Sequence, residues 1–155
     1  MELDQLPNLN LPHYQFSFKK DSSNNNLIFD NIRKKHLILT PEEWVRQNYV
    51  QYLVQEKGIP KGLIGIEKQV VVNKMNKRCD IVVFDRSGDP LLLVECKSVK
   101  EGLTQKVFDQ IARYNMALNV KYLVVTNGLD HYYCIIEHAV KSYHFIEELP
   151  EFDSL

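Results

Sequence analysis

The apolar residues of this chain fall into short runs that predict strands, separated by two stretches with helical spacing. In the N-terminal part, residues 14–18 and 26–30 are strand-like and flank a polar turn, and residues 33–39 offer a third short strand. Three central strands are predicted at 63–72, 78–85 and 90–97, and three further strands at 121–127, 131–137 and 142–147.

Two helices are predicted from capping and spacing. Thr40 is a typical N-cap, Pro41 occupies the first helical position and Glu43 lies three residues after the cap, so a helix is expected from here to the turn near Gly58. The second helix is predicted over 104–119, with apolar positions at Val107, Phe108, Ile111, Tyr114, Ala117 and Leu118. This order of elements predicts an α/β or α+β layer structure with strands 78–85 and 90–97 at its centre.

The composition is that of an ordinary globular domain, with 155 residues of which 45% are hydrophobic and 25% charged. No apolar run approaches the roughly 20 residues that span a membrane, and the N-terminus lacks the pattern of a signal peptide. The three cysteines include no CxxC pair, which argues against a disulfide framework or a zinc site. We therefore expect a cytoplasmic protein without membrane contact.

Charge is distributed unevenly along the chain. The net charge of −1 does not indicate a basic nucleic-acid-binding protein. Residues 74–121 nevertheless carry nine Lys/Arg and six Asp/Glu, a net charge of +3, while the rest of the chain carries −4. This local excess of positive charge favours a phosphate-rich partner.

Residues 78–85 and 90–97 are expected to pair as an antiparallel hairpin. Ser87 and Gly88 suit the tip of a two-residue turn. With the turn centred between them, the numbers of paired residues sum to 175, so Asp85 lies opposite Pro90. A shift of one residue would turn every side chain of one strand to the other face.

This register places three charged side chains on one face of the hairpin. Asp80 lies opposite Glu95, with Cβ atoms about 4.5–5.5 Å apart, and Lys97, two residues further, points to the same face. By the same argument, Cys79 and Cys96 are expected to be neighbours on the opposite face, as a small buried pair of thiols.

Two carboxylates this close repel each other, and burying them without a counter-charge costs on the order of several kcal/mol. A divalent cation between them removes this cost, and oxygen ligands suit Mg²⁺ or Mn²⁺ rather than zinc. An ammonium beside such a metal can orient water for attack on a phosphodiester. The alternative is a salt-bridged strand end, but the register of Asp80 and the buried-strand sequence around Glu95 and Lys97 favour the metal site.

The motif formed by Asp80 and Glu95-Cys96-Lys97 resembles the D…ExK core of the PD-(D/E)XK nuclease superfamily, with Cys79 in place of the usual proline. Residues 40–47, 78–97, 108–115 and 122–128, in this order, resemble the N-terminal nuclease domain of type I restriction enzyme R (restriction) subunits in its short stand-alone form. The resemblance covers roughly residues 27–147. It implies a restriction-endonuclease-like α/β fold with a mixed central sheet flanked by helices. We expect an N-terminal β extension packed on the core (1–39), a nuclease-like domain (40–147) and a tail (148–155) that its acidic sequence predicts to be peripheral.

The resemblance also implies roles for the motif. Asp80 and Glu95 would bind the metal together with the main-chain carbonyl of Cys96, and Lys97 would be the catalytic lysine. Nucleases of this type also take a glutamate from the first helix, for which the sequence offers Glu42 and Glu43.

A helical wheel separates these two glutamates. Glu42 lies at the edge of the buried stripe and Glu43 lies well off it, so Glu42 is expected to face the site and Glu43 to complete the capping box. Both are explained equally well as glutamates that stabilise the helix dipole.

Gln110 and Tyr114 match the Q-x-x-x-Y motif of RecB-like and type I nucleases, which implies that they lie near the active site and the DNA backbone. They share one helix face at i and i+4. The alternative is a core tyrosine and an exposed glutamine. Arg78 and Lys100 are candidates for phosphate contacts, and solvated surface charge explains them equally well.

The function implied is a Mg²⁺-dependent DNA endonuclease, with Mn²⁺ expected to substitute. The alternative is a nuclease-fold module that binds DNA or a partner protein within a larger restriction or repair assembly and does not cleave. Motor or methyltransferase-type subunits are plausible partners, and nuclease domains of this kind often form homodimers.

Overall fold

The computed structural model describes residues 1–72, 74–116 and 118–155 and contains two sheets and two helices. The N-terminal sheet is antiparallel and has the order β1-β2-β3, where the strands are Phe18–Lys20, Asn26–Asp30 and Lys35–Ile38. The first strand thus begins where the predicted one, at 14–18, was expected to end.

The central sheet is mixed and has the order β4-β5-β6-β7-β8-β9. Its strands are Ile64–Val72, Met75–Phe84, Pro90–Cys96, Tyr122–Thr126, His131–Glu137 and Ser142–Ile146. Neighbouring strands are antiparallel except β6 and β7, which are parallel. Parallel strands need a crossover, and helix α2 (Gln105–Met116) provides it.

The two helices cover opposite faces of the central sheet. Helix α1 (Pro41–Gln55) packs Val45 and Leu53 into a cluster with Val94 of β6. Helix α2 packs Phe108 into a second cluster with Leu93 of the same strand. Because adjacent residues of β6 enter different clusters, the strand is buried on both sides. The predicted mixed sheet flanked by helices is therefore confirmed.

Helix α1 begins as its capping residues predict. The Thr40 hydroxyl accepts a hydrogen bond from the main-chain N–H of Glu43 at 3.0 Å, and Pro41 occupies the first helical position. The carboxylate of Glu43 accepts hydrogen bonds from arginine and glutamine side chains instead of completing a capping box.

Helix α2 buries a different stripe from the predicted one. Phe108, Ala112 and Asn115 are its buried residues, and Tyr114 is 58% exposed. Tyr114, one of the predicted apolar positions, is therefore not part of the buried stripe, which argues against the alternative of a core tyrosine. The predicted apolar position Ala117 lies outside the described residues.

Both termini pack against the body of the domain. Leu9 and Leu11 contact the cluster under α1, and the main-chain N–H of Asn10 donates to the carbonyl of Gly128 at 2.8 Å. At the other end, Leu149 is buried in the same cluster, and the N–H of Phe152 donates to the carbonyl of Lys57 at 2.9 Å. The tail therefore packs on the core through Leu149, with Phe152 and Leu155 half-buried beside it, while its remaining residues lie closer to the surface.

The hairpin formed by β5 and β6 has the predicted register away from its turn, but the turn itself differs from the predicted two-residue turn. Val83 pairs with Leu92, as the register predicts, but Phe84 rather than Asp85 pairs with Pro90, because the register shifts between Val83 and Phe84. A three-residue loop with Gly88 at φ +91° closes the hairpin, which is a common arrangement for glycine at this position. An extra residue on β6 then restores the predicted register.

Among the described residues, no helix is long and apolar enough to cross a membrane.

Candidate active site

The β5–β6 hairpin opens at the end that carries the predicted motif. The last pair of the ladder is Ile81 with Val94. Beyond it, the Asp80 carboxylate enters the gap, and its Oδ2 accepts a hydrogen bond from the main-chain N–H of Cys96 at 2.8 Å. A side chain thus takes the place of a main-chain ladder bond, and this holds Asp80 at the fork between the strands.

Side chains of β5 change faces at this fork. Ile81 belongs to the cluster under α1, whereas Cys79, two residues earlier, belongs to the cluster under α2. Across from Asp80, Glu67 of β4 has a left-handed backbone with φ +49°. Cys96 lies in the α1 cluster, so Cys79 and Cys96 are on opposite faces and the prediction that they are neighbours is wrong. Both thiols are buried and free.

Glu95 follows on β6 and lies between two ammonium groups. Lys97 Nζ is 4.0 Å from Glu95 Oε1, and Lys77 Nζ is 4.0 Å from Glu95 Oε2. Burial, followed by repulsion from Asp80, raises the pKa of Glu95 despite both lysines. The cost of burying this carboxylate, together with the charge of Asp80, therefore outweighs the attraction of the two lysines.

Lys77 is a buried lysine that the sequence did not indicate. Its side chain is 9% exposed, and its Nζ donates to the side-chain oxygen Oδ1 of Asn115 at 2.5 Å and lies 4.4 Å from the centre of the Tyr114 ring. Burial lowers the pKa of Lys77, and the charge of Glu95 opposes this shift.

Arg46 of α1 contacts the other side of the fork. Its Nη2 donates to Glu42 Oε1 at 2.9 Å and to Asp80 Oδ1 at 3.1 Å, and its Nη1 donates to Glu43. Burial and then repulsion from Asp80 raise the pKa of Glu42. Glu42 therefore lies near Asp80 and Lys97, but it is the more exposed of the two glutamates, and Glu43, expected to lie well off the buried stripe, is buried.

A chain of ion pairs leads from this arginine into the N-terminal sheet. Arg33 bonds Glu43 at 2.8 Å, Glu67 at 2.7 Å and Asp30 of β2 at 2.5 Å. Because Arg46 also pairs with Glu43, the chain continues to the fork. The N-terminal sheet is thereby joined electrostatically to the candidate site.

Asp30 gives this network a pH dependence. Burial raises the pKa of this carboxyl, but hydrogen bonds and charge from Arg33 and a hydrogen bond from Gln47 outweigh it, so the pKa is lowered. A carboxyl with a lowered pKa stabilises the folded state at pH values above the ordinary carboxyl pKa of about 3.9. This stabilisation is lost as the pH falls through the pKa of the folded state.

We therefore expect Asp30→Asn to lower the free energy of unfolding most at neutral pH. The difference from the unaltered chain should shrink below about pH 4, where the unaltered carboxyl also becomes protonated. Urea unfolding of both proteins at pH 7, 4 and 3 measures it. A difference that stays constant over this range would contradict the prediction.

An open groove of about 750 Å³ runs between the fork and α2. Its lining includes Glu95 of β6, together with the cations Lys77, Arg78, Lys97 and Arg113 and the α2 residues Val107, Gln110, Ile111 and Tyr114. Four cations therefore face one carboxylate, and this charge suits an anionic ligand.

The predicted DNA-binding residues divide between two places. Gln110, Tyr114 and Arg78 line the groove, where the Arg78 side chain is 66% exposed and pairs with Glu67 at 2.8 Å. Lys100 lies apart from them, in a second cavity near the start of α1. The geometry groups the first three with Glu95 and leaves Lys100 separate.

Residues 41–150 match the family described as type I restriction enzyme R protein N terminus (HSDR_N). The match covers more than half of the chain and contains the whole fork. The chain belongs to this family. No curated protein matches it.

Among solved structures, the chain resembles a fragment assigned to the HsdR subunit of a type I restriction enzyme from Vibrio vulnificus YJ016. The TM-score is 0.50 at 21% sequence identity, and the alignment covers 74% of this chain and 24% of that one. The two share a fold. The chain spans about a quarter of the length of the fragment it matches.

In this R-protein N-terminal domain, the donor set at the fork fits a hard divalent cation by its chemistry. Asp80 and Glu95 provide carboxylate oxygens, and repulsion from Asp80 contributes, after burial, to the raised pKa of Glu95. The arrangement is not that of a formed site, because no group of three or more His, Cys, Asp or Glu side chains in the described part of the chain is placed to hold a metal ion.

Two residues of the site, Arg46 and Lys77, were not predicted, and only the first has a recognisable pattern in the sequence of this domain. Arg46 lies three and four residues after Glu43 and Glu42, a spacing that predicts ion pairs on a helix. Lys77 gave no comparable signal, because its contact with Asn115 joins β5 to α2 across 38 residues of sequence.

Proposed function

We propose that this domain is a Mg²⁺-dependent DNA endonuclease of the PD-(D/E)XK type that hydrolyses phosphodiester bonds. The main support is the convergence of Asp80, Glu95 and Lys97 where β5 and β6 diverge, beside a groove lined by cations. Membership of a restriction-enzyme family agrees with this proposal. The proposed setting is the cytoplasm, where DNA is accessible.

In this proposal, Asp80 and Glu95 hold the cation together with the main-chain carbonyl of Cys96. Glu42 is the helix residue proposed to complete the set, with Glu43 as the less favoured choice because Arg33, Arg46 and Gln47 already engage its carboxylate. A bound Mg²⁺, or Mn²⁺ in its place, would supply a polarised water and neutralise charge on the phosphate.

Lys97 is the proposed catalytic lysine. Its side chain is 30% exposed and its ammonium is 4.0 Å from Glu95, so it can reach a phosphate in the groove while remaining near the carboxylates. An ammonium in this place can donate a hydrogen bond to the attacking water or to a phosphate oxygen.

The groove is the proposed path of the DNA backbone. Gln110 and Tyr114 present an amide and an aromatic ring from α2, and Arg78 adds a cation from β5. The amide can bond a phosphate oxygen, and the exposed ring can stack on a base. Lys100 would contact phosphate outside this groove.

One observation favours a second candidate, a nuclease-fold module that binds DNA or a partner without cutting. Both carboxylate oxygens of Asp80 already have protein donors, Arg46 and the N–H of Cys96, at 3.1 and 2.8 Å. Metal binding by Asp80 would compete with Arg46. In this candidate, cleavage requires the rest of an assembly, with motor or methyltransferase-type subunits or a second copy of the chain as proposed partners.

The decisive experiment compares the purified chain with Asp80→Ala and Lys97→Ala on plasmid and single-stranded DNA, with Mg²⁺ or Mn²⁺. We expect cleavage that requires the metal and is lost in both variants, because one removes a metal ligand and the other the catalytic ammonium. Gel electrophoresis of the products measures it.

Calorimetric titration with Mn²⁺ separates the two candidates. Absence of both cleavage and Mn²⁺ binding in the unaltered chain would overturn the nuclease proposal and support the binding module. Cleavage that persists in the Asp80→Ala variant would show that the active site lies elsewhere.

A further inference from the structure

Lys77 is fixed at the groove by contacts from helix α2. Its Nζ donates to the side-chain oxygen Oδ1 of Asn115 at 2.5 Å and lies over the Tyr114 ring at 4.4 Å. Asn115 is itself fully buried, and its amide nitrogen donates to the Ile111 carbonyl at 2.7 Å. This second bond orients the amide so that its oxygen faces the lysine. The ammonium is therefore held in place before any ligand arrives.

Neutralisation of the Glu95 carboxylate does not by itself explain why the Lys77 ammonium is buried here. Lys97 already provides one ammonium at 4.0 Å from Glu95, and Lys77 lies at the same distance from the second oxygen. Burying an ammonium costs on the order of several kcal/mol, which one shared carboxylate at this distance does not recover. Lys77, Lys97 and Arg113 line the groove together with Arg78, which is paired with Glu67 at 2.8 Å, so the cations still outnumber the single carboxylate of the lining.

A lysine ammonium donates three hydrogen bonds. The Asn115 oxygen takes one, and Glu95 at 4.0 Å lies beyond hydrogen-bond distance. The ring of Tyr114 covers a further side of the ammonium, so the remaining donor capacity faces the groove. An anionic oxygen entering the groove would complete the coordination of the ammonium.

We propose that Lys77 is a phosphate-binding residue that, with Lys97 on the other oxygen of Glu95, holds the backbone of a DNA strand in the groove. The proposal rests on the DNA-binding part of the proposed function and does not require cleavage. It assigns Lys77 to binding, since nothing places its ammonium on the reacting atoms.

The test measures DNA binding without divalent metal, in EDTA. Fluorescence anisotropy measures the affinity for a 20-nucleotide single strand and for the corresponding duplex over a range of NaCl concentrations. The proteins compared are the unaltered chain, Lys77→Met and Lys61→Met. Lys61 is the matched control because it is exposed and lies before β4, at the end of the β4–β5 pair far from the groove.

We expect Lys77→Met to weaken binding about tenfold and to reduce the slope of log K against log [NaCl] by about 1, because one phosphate contact is lost. Lys61→Met should leave both quantities unchanged. The proposal is overturned if Lys77→Met binds DNA with the same affinity and the same salt slope as the unaltered chain. It is also overturned if the unaltered chain does not bind DNA.

A second measurement protects the test against misfolding. If Lys77→Met does not fold, as judged by circular dichroism, the lysines of the unaltered chain are ¹³C-methylated and followed by NMR. The proposal expects the Lys77 signal to shift when DNA is added and the Lys61 signal to stay in place. An unshifted Lys77 signal overturns it.

The two proposals can fail separately. Lys77-dependent binding without cleavage under Mg²⁺ would support the phosphate site and count against the nuclease. Metal-dependent cleavage with unchanged binding by Lys77→Met would support the nuclease and overturn the phosphate site.

Discussion

Lys97→Met is expected to lower metal-dependent DNA cleavage about 10²–10³-fold, the usual loss when one preorganised donor to developing charge is removed. Methionine keeps most of the apolar stem and removes the ammonium, so the fold should be retained at a side chain that is already 30% exposed. Single-turnover cleavage of plasmid DNA measures the effect, with Lys61→Met as a control of equal charge change.

Metal binding distinguishes this role from a structural one. Calorimetric titration should show Mn²⁺ binding retained in Lys97→Met, since the carboxylates remain, and lost in Asp80→Asn, since a ligand is removed. Cleavage by Lys97→Met at the unaltered rate would contradict the catalytic assignment. Loss of Mn²⁺ binding in that variant would show that Lys97 maintains the metal site instead.

Arg46→Met is expected to lower the free energy of unfolding by about 3–5 kcal/mol, the range for removing one partner of a buried ionic network. Arg46 is 4% exposed and pairs with Glu42, Glu43 and Asp80. Without the guanidinium, the buried Glu43 keeps only Arg33 as a cationic partner among the described residues, and Asp80 loses its ion pair. Urea unfolding at pH 7 measures the loss.

Arg86→Met is the matched control, because the Arg86 side chain is 78% exposed and its only described ion pair, with Asp153 at 3.5 Å, lies at the surface. Exposed pairs of this kind contribute little, so this variant should unfold close to the unaltered chain. Arg46→Lys, which keeps a charge but not the branched geometry, should fall between the two. A loss below about 1 kcal/mol in Arg46→Met would contradict the prediction.

The hairpin shows how far local patterns determine the site. The predicted register holds from the Val83–Leu92 pair to the Ile81–Val94 pair, which is the last pair before Asp80 and Glu95. The two-residue turn from which that register was derived does not exist. A longer loop and a bulge on β6 offset each other, so the register survives although the turn differs.

The prediction of side-chain faces from strand alternation failed at Asp80. A period of two predicts that Asp80 and Glu95 share a face and that Cys79 and Cys96 share the other. The strands part at this point and the side chains of β5 change faces, so Asp80 enters the gap while Glu95 lines the groove. This irregularity arises from the departure of one strand from its neighbour, which alternation within either strand does not encode.

The sequence by itself determined the alternation of strands and helices, the start of α1 at Thr40, and the proximity of the Asp80 and Glu95-x-Lys97 motif. These depend on capping, periodicity and strand pairing, which act over short distances along the chain. Only the tertiary structure decided that Arg46 neutralises Asp80, that the N-terminal sheet connects to the fork through Arg33, and that Asn115 fixes Lys77. Most of these contacts join residues of different elements, and burial gives such polar pairs their energy, so they exist only once the layers have packed.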